Sequence, residues 1–240
     1  MTPLERIRIE KAAADCGFER ETVLNEHGQL ELRSATFPEV IWVRVAKPCG
    51  YELKSSLPSL LPTGSCDGEL LVEGIEQLYQ VLQQTAATAR TWPNRVADQF
   101  RAKTQNLPIT TEAERLVVQR VGQDLFRTAL LDFWQGRCCV TGLAVPSLLR
   151  ASHIKPWAKC ASDNERLDVF NGLLLAPHLD ALFDGGWISF SDRGGMLVSK
   201  QLSAAARVQL GIAPGWSIQG LKTAHLGYLA HHREHEFRHG

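Results

Sequence analysis

The sequence has no excess of charge of either sign: Lys plus Arg and Asp plus Glu number 26 each. No global positive field therefore announces a nucleic-acid partner. It also has no apolar run of about 18 residues, and the N-terminal stretch MTPLERIRIEKAAADCG carries acids from Glu5 onward in place of an apolar signal core. Neither a membrane span nor a secretory leader is expected, and the expected location is cytoplasmic. No CxxC pair occurs; Cys16, Cys49, Cys66, Cys138, Cys139 and Cys160 are irregularly spaced, which reads as reduced thiols rather than a disulfide framework. With only 11 Pro and 19 Gly against 44% hydrophobic residues, collagenous and wholly disordered chains are excluded. The 240 residues suffice for one or two domains with a real core.

The charge balance is uneven along the chain. Residues 1–100 hold 10 basic and 14 acidic side chains, residues 101–240 hold 16 and 12, and seven of the eight histidines lie in the second stretch. The two stretches are therefore read separately. Thr2-Pro3-Leu4-Glu5 combines an N-cap, a proline at the first helical position and a Glu three residues after the cap, predicting a helix to Cys16 that stops at Gly17. LELRS and VIWVRVA, separated by Phe37-Pro38 and closed by Pro48-Cys49-Gly50, read as strands. Ser55 to Gly68 reads as loop, and Leu71, Ile75, Leu78 and Leu82 predict a helix over 69–90. Trp42 is expected in the core of its apolar strand, with base stacking by Trp42, Tyr51 or Trp92 as the other use of these aromatics.

Thr91-Trp92-Pro93-Asn94 reads as a hinge, giving an N-terminal α+β domain over 1–100 with a DNA-recognition or sensing role, a linker over 101–110 and a second domain over 111–240. Thr111-Glu112-Ala113-Glu114 is a capping box opening a helix to about Gly136 with Val117, Val121, Leu125, Phe126, Leu130 and Trp134 on its buried side. Arg120 and Arg127 share another face, read as solvated rather than as a stripe along phosphates. Shorter helices are expected over Ser203–Leu210 and Thr223–Phe237.

The chemistry concentrates between Cys138 and Phe190. This stretch reads as a hairpin running from VTG through LAVPSLLRASHI to a terminal histidine, a polar loop, a strand over Gly172–Leu175, and a short helix opened by Pro177 and closed by Asp184-Gly185-Gly186. The order His153, Asn171, His178 suits phosphodiester hydrolysis: an imidazole can take a proton from water, an amide can hold that imidazole, and a histidine with carboxylates can hold a divalent cation. On the helix His178, Asp180 and Asp184 are available, and spacing does not choose among them, since neither residues two apart nor residues six apart share one side squarely.

RVGQDLFR (120–127), RCCVTG (137–142), ASHIKPW (151–157), NERLDVFNGLLLAPHLDALFDGGWISF (164–190) and HLGYLAHHREHEF (225–237) together resemble the HNH endonuclease family, in the branch described as restriction endonucleases. The resemblance implies an α+β protein whose C-terminal ββα-metal core is braced by flanking helices, beside a separate small α+β N-terminal domain. It implies His153 as general base, Asn171 as the bracing amide, and a metal site among His178, Asp180 and Asp184 holding a divalent ion, Mg²⁺ or an equivalent such as Mn²⁺. Ser152 stands where the broad superfamily commonly has a ligating Asp or His. Arg150, Lys155, Lys159 and Arg166 are the expected phosphate contacts. The implied protein is a metal-dependent endonuclease acting on double-stranded DNA in restriction or defence, assembled as a homodimer and away from membranes; the alternative is a catalytically degenerate HNH fold that binds DNA. Two isolated thiols, Cys138 and Cys160, read as core residues rather than as a zinc site, and His231 with His235 reads as a wet helix end.

Overall fold

The computed structural model describes residues 1–46, 50–62, 69–92, 94–108, 110–213 and 215–239. Cys49, Cys66, Pro48 and Pro93, singled out above, lie outside the described residues, as does the end of the loop expected up to Gly68. The chain mixes helices and strands and falls into two compact units, Met1–Arg90 and Thr91–Gly240.

The first unit opens with α1 (Pro3–Asp15), whose capping box forms as expected: the Thr2 hydroxyl accepts from Glu5 N at 3.3 Å and Glu5 Oε2 accepts from Thr2 N at 2.6 Å. Strands β1 (Val23–Leu24), β2 (Leu30–Leu32), β3 (Ile41–Ala46), β4 (Gly50–Ser55) and β5 (Glu69–Glu73) follow as one antiparallel sheet in sequence order. Helix α2 (Gly74–Arg90) completes the unit. Alternation sends Leu30, Leu32, Ile41, Val43 and Leu53 to full burial, with α1 and α2 packed against each other and α2 on β4 and β5. Two expectations are corrected here. Glu69–Glu73 is a strand paired with β4, so Leu71 is 67% exposed rather than part of a helical stripe. Trp42 is half-buried on the face opposite Ile41 and Val43, because a strand with one covered face turns every second residue away from the core.

The second unit begins with α3 (Arg95–Thr104), which packs on α4 (Glu112–Phe133). Residues 91–104 thus sit with the second unit, on the far side of the boundary from the N-terminal domain drawn over 1–100, and residues 101–104 of the expected linker are the last turn of α3. The Thr111–Glu114 capping box starts α4. Val117 is exposed, however, and the buried face begins at Gly122 and runs through Phe126, Ala129, Leu130 and Phe133. Arg127 is committed rather than solvated: its guanidinium donates to the carbonyls of Leu149 at 2.7 Å and Pro146 at 2.9 Å.

Then come β6 (Arg150–His153), α5 (Asp163–Arg166), β7 (Gly172–Leu175), α6 (Pro177–Asp184), β8 (Ile188–Phe190), β9 (Met196–Val198), α7 (Ala204–Gln209) and α8 (Leu226–His235). Val140–Gly142 is a turn, not the first strand of a hairpin. The hairpin is instead β6 with β7, in the register Arg150↔Leu175 to His153↔Gly172. All four residues of β7 are buried. Gly172 is required by its setting, since a Cβ there would stand 2.6 Å from the Phe126 ring and 2.7 Å from Leu130. The β8–β9 hairpin carries no signal used in the sequence reading.

Candidate active site

The site is built on β6, β7 and α6, and each side chain is placed by a contact the local sequence supplies. Cys138 Sγ accepts from Thr141 N at 3.4 Å and from Ala176 N at 3.3 Å, which ties the RCCVTG turn to the junction of β7 and α6. Pro177 then sits in the first turn of α6, where its missing N–H costs nothing.

His153 closes β6. Its ring stacks on Phe126 with centroids 3.8 Å apart and planes at 14°, and Trp157 meets it edge-on at 5.5 Å. Nε2 lies 2.8 Å from the Arg166 carbonyl oxygen. A carbonyl only accepts, so Nε2 carries the proton and Nδ1 keeps its lone pair. Burial pushes the imidazole below its ordinary value, partly offset by that hydrogen bond, and the ring is neutral at pH 7.

Asn171 is fully buried and spends its amide on the loop that carries Arg166. Oδ1 accepts from Lys155 N at 2.7 Å, while Nδ2 donates to the carbonyls of Glu165 at 3.1 Å and Lys155 at 3.2 Å and faces Cys160 Sγ at 3.4 Å. One amide thus fixes both ends of residues 155–165, and with them the carbonyl that orients His153. Asp168 supports the turn before Asn171: Oδ1 accepts from Phe170 N at 3.0 Å and Oδ2 from the Tyr228 hydroxyl at 2.9 Å. Burial pushes the Asp168 carboxyl up.

Asp180 and Asp184, one turn apart on α6, face β6 together. The Ser152 hydroxyl, 2% exposed, donates to Asp184 Oδ1 at 3.3 Å. Burial pushes both carboxyls up; at Asp180 the Asp184 charge adds to this, and Ser152 and Arg150 work against it. His178 is exposed on the first turn of the helix, its ring 6.4 Å from that of Trp216. The fold therefore joins Asp180 and Asp184 around Ser152. Among the described residues no three His, Cys, Asp or Glu side chains converge as a metal cage. Two carboxylates and a hydroxyl are nonetheless hard oxygen donors, a set that fits a hard divalent cation.

The expected phosphate contacts divide. Arg150 is exposed beside Asp180. Lys155 pairs with Glu165 at 2.6 Å and Lys159 with Glu236 at 2.5 Å. Arg166 shapes its own loop, donating to Asp163 at 3.0 Å and to the carbonyls of Cys160 at 2.9 Å and Trp157 at 3.3 Å. The rings of His231 and His235 lie 4.4 Å apart, with Glu236 3.7 Å from His231. Trp157, Asp168 and Tyr228 are site supports that the sequence reading did not assign; Asp168 and Tyr228 are 60 residues apart and share no motif spacing.

Helix α8 braces the far side. His232, 2% exposed, stacks on Phe183 at 3.8 Å, donates from Nε2 to the Phe183 carbonyl at 3.2 Å and accepts at Nδ1 from the Ser189 hydroxyl at 3.0 Å. Burial holds its pKa down to about 4.

No curated protein matches the chain. Residues 138–191 match the family model described as HNH endonuclease, a stretch that contains β6, Asn171, β7 and all of α6. The second unit accordingly carries an HNH endonuclease domain over residues 138–191.

Proposed function

We propose that the chain is a divalent-metal-dependent endonuclease that hydrolyses phosphodiester bonds in double-stranded DNA. The observation that carries this reading is the His153 imidazole, neutral, stacked in place and holding a free lone pair at Nδ1 because a backbone carbonyl has taken Nε2–H. In the proposed reaction Nδ1 removes a proton from a water molecule as its oxygen bonds to phosphorus, and the bond to the 3′ oxygen breaks. Asn171 keeps the Arg166 carbonyl, and so the reactive tautomer, in position. Asp180 and Asp184 would hold the metal ion, with Ser152 orienting Asp184. When bound, such an ion supplies charge for the transition state and the leaving oxygen. Arg150 is the exposed cation placed to meet a phosphate.

Removing the imidazole should lower the rate by about 10²- to 10⁴-fold with little loss of DNA affinity. Plasmid nicking by the parent and by His153→Ala, with Mg²⁺, with Mn²⁺ and with EDTA, tests this. Equal cleavage by the variant, or undiminished cleavage in EDTA, would refute the mechanism. Duplex binding with no turnover under any metal would instead support the degenerate, DNA-binding alternative that Ser152 favours. A restriction or defence role in the cytoplasm and a homodimer, with one centre for each strand, complete the proposal; light scattering with and without duplex reports the assembly.

A further inference from the structure

The uncovered face of the N-terminal sheet is not uniform. Pairing in the sheet aligns Glu31, Trp42, Lys54 and Glu69 in one row across β2 to β5, and alternation turns this row away from the core. Beside it stands the β1–β2 turn, held by Asn25, whose Oδ1 accepts from His27 N and Gln29 N at 3.0 Å each. Between turn and row lies an open cleft of about 620 Å³, with Glu26, His27, Gln29, Glu31 and Lys54 around the half-buried indole of Trp42. The cations are matched by acids, since Lys54 pairs with Glu69 at 3.0 Å and Arg33 with Glu31. A single aromatic plane ringed by hydrogen-bonding groups, with its cations paired and the acid Glu26 at its rim, suits a flat, neutral heterocycle whose polar edge includes N–H donors. That is the chemistry of a nucleobase.

A second cleft, of about 410 Å³, adjoins through the Glu31–Arg33 pair and is lined by Arg20, Arg33, Ser34 and Thr36. Arg20 N donates to the Arg33 carbonyl at 3.2 Å, which sets the two arginines side by side. Glu19 lies in the same loop, accepting from Ser34 Oγ at 3.0 Å and Ala35 N at 2.9 Å. Glu19 and Glu31 balance the two guanidiniums in charge, so what this cleft offers an anion is guanidinium N–H donors rather than a net positive field, which suits a single phosphodiester better than a polyphosphate. Positions 31 and 33 are about 7 Å apart along an extended strand, a span comparable to that between a base and its own phosphate.

We propose that this face binds an unpaired nucleobase with its adjoining phosphodiester, the base stacked on Trp42 and the phosphate against Arg20 and Arg33. The proposal does not depend on the nuclease reading, because no residue of the HNH domain takes part in it.

The full chain, kept in EDTA, is titrated with fluorescently labelled oligothymidylate, with an abasic oligomer of the same length, and with thymidine or thymidine monophosphate as competitors. Trp42→Ala is expected to weaken oligothymidylate binding by about 5- to 100-fold. Trp42→Phe should keep most of the affinity. Arg20→Ala with Arg33→Ala should weaken binding and flatten its salt dependence. Competition by thymidine supports the site with a free nucleoside as occupant, and binding of the oligomer alone supports it with a DNA strand as occupant. Equal binding of the abasic oligomer, unchanged affinity in a Trp42→Ala protein with unaltered melting temperature, or no binding of any probe overturns the proposal. Failure of the nuclease reading would show separately, in the His153→Ala nicking assay.

Discussion

The two sheets of this protein solve the problem of a covered face in opposite ways. The five-stranded sheet of the first unit buries one face and leaves the other to water, so Trp42 and its polar row are not needed for packing. The β6–β7 hairpin has only four residues per strand, and β7 is buried throughout: α4 lies on the hairpin through Phe126 and Leu130, α6 through Asp180 and Asp184, and α8 holds α6 from behind. The small hairpin therefore owes its geometry to its neighbours, and its functional side chains are packing residues as well. The large sheet can change its outer face at little cost to stability.

This contrast is sharpened most by acid. His225 is fully buried and His232 nearly so, and burial holds both down to about 4. Each stays neutral in the folded chain at pH values where the unfolded chain, near 6.5, is already protonated. The unfolded state then binds more protons, so stability is full above about 6.5 and falls as the pH drops toward 4, by up to about 3 kcal/mol for each histidine. Both lie in the second unit. Hydrogen exchange, corrected for its intrinsic pH dependence, should show protection lost in peptides from 91–239 before those from 30–55 as the pH is lowered from 7.5 to 5. Loss in the reverse order would break the contrast.

A second test adds one methyl group. Gly172→Ala places a carbon against Phe126 and Leu130 at distances no real contact adopts, so it should cost about 1–3 kcal/mol by overpacking and tilt the ring on which His153 stacks. Chemical denaturation should show the lost stability, and the nicking rate should fall with it. An alanine at the exposed Leu71 of the large sheet should stay within about 0.5 kcal/mol of the parent. A smaller loss than that of Gly172→Ala is expected from Tyr228→Phe, which removes the hydroxyl from Asp168 and should cost about 1–2 kcal/mol. If that contact acts by positioning, the variant also loses nicking rate at temperatures where it remains folded, and restoring stability with a ligand or osmolyte does not recover it.

What the sequence disclosed follows from the range of the forces involved. Both capping boxes, Thr2–Glu5 and Thr111–Glu114, were legible because their partners are three residues apart. The strand Gly172–Leu175 and the helix opened by Pro177 were legible for the same reason. Glu69–Glu73 misled because Leu71 happened to fall in phase with Ile75, Leu78 and Leu82, and pairing with β4 outweighed that pattern. At the site, the motif strings around His153, Asn171 and His178 carried the resemblance. The sequence could not show that Arg166 serves through its backbone oxygen, that Asn171 reaches Glu165, or that Tyr228 reaches Asp168. Those links are made across loops by tertiary packing, which has no fixed spacing.

The position of α8 has a consequence in time. His232 and Tyr228 secure α6 and the turn before Asn171, yet both are encoded well after residue 191, where the matched domain ends. During synthesis the chain emerges from its N-terminus at about 5–20 residues per second. For several seconds a nascent chain holds every residue of the cleavage centre without the clamps that shape it. A domain arranged this way comes into working order only once the segment through α8 has followed it out of the ribosome, and a truncated product ending before α8 would carry the signature of the domain without its geometry.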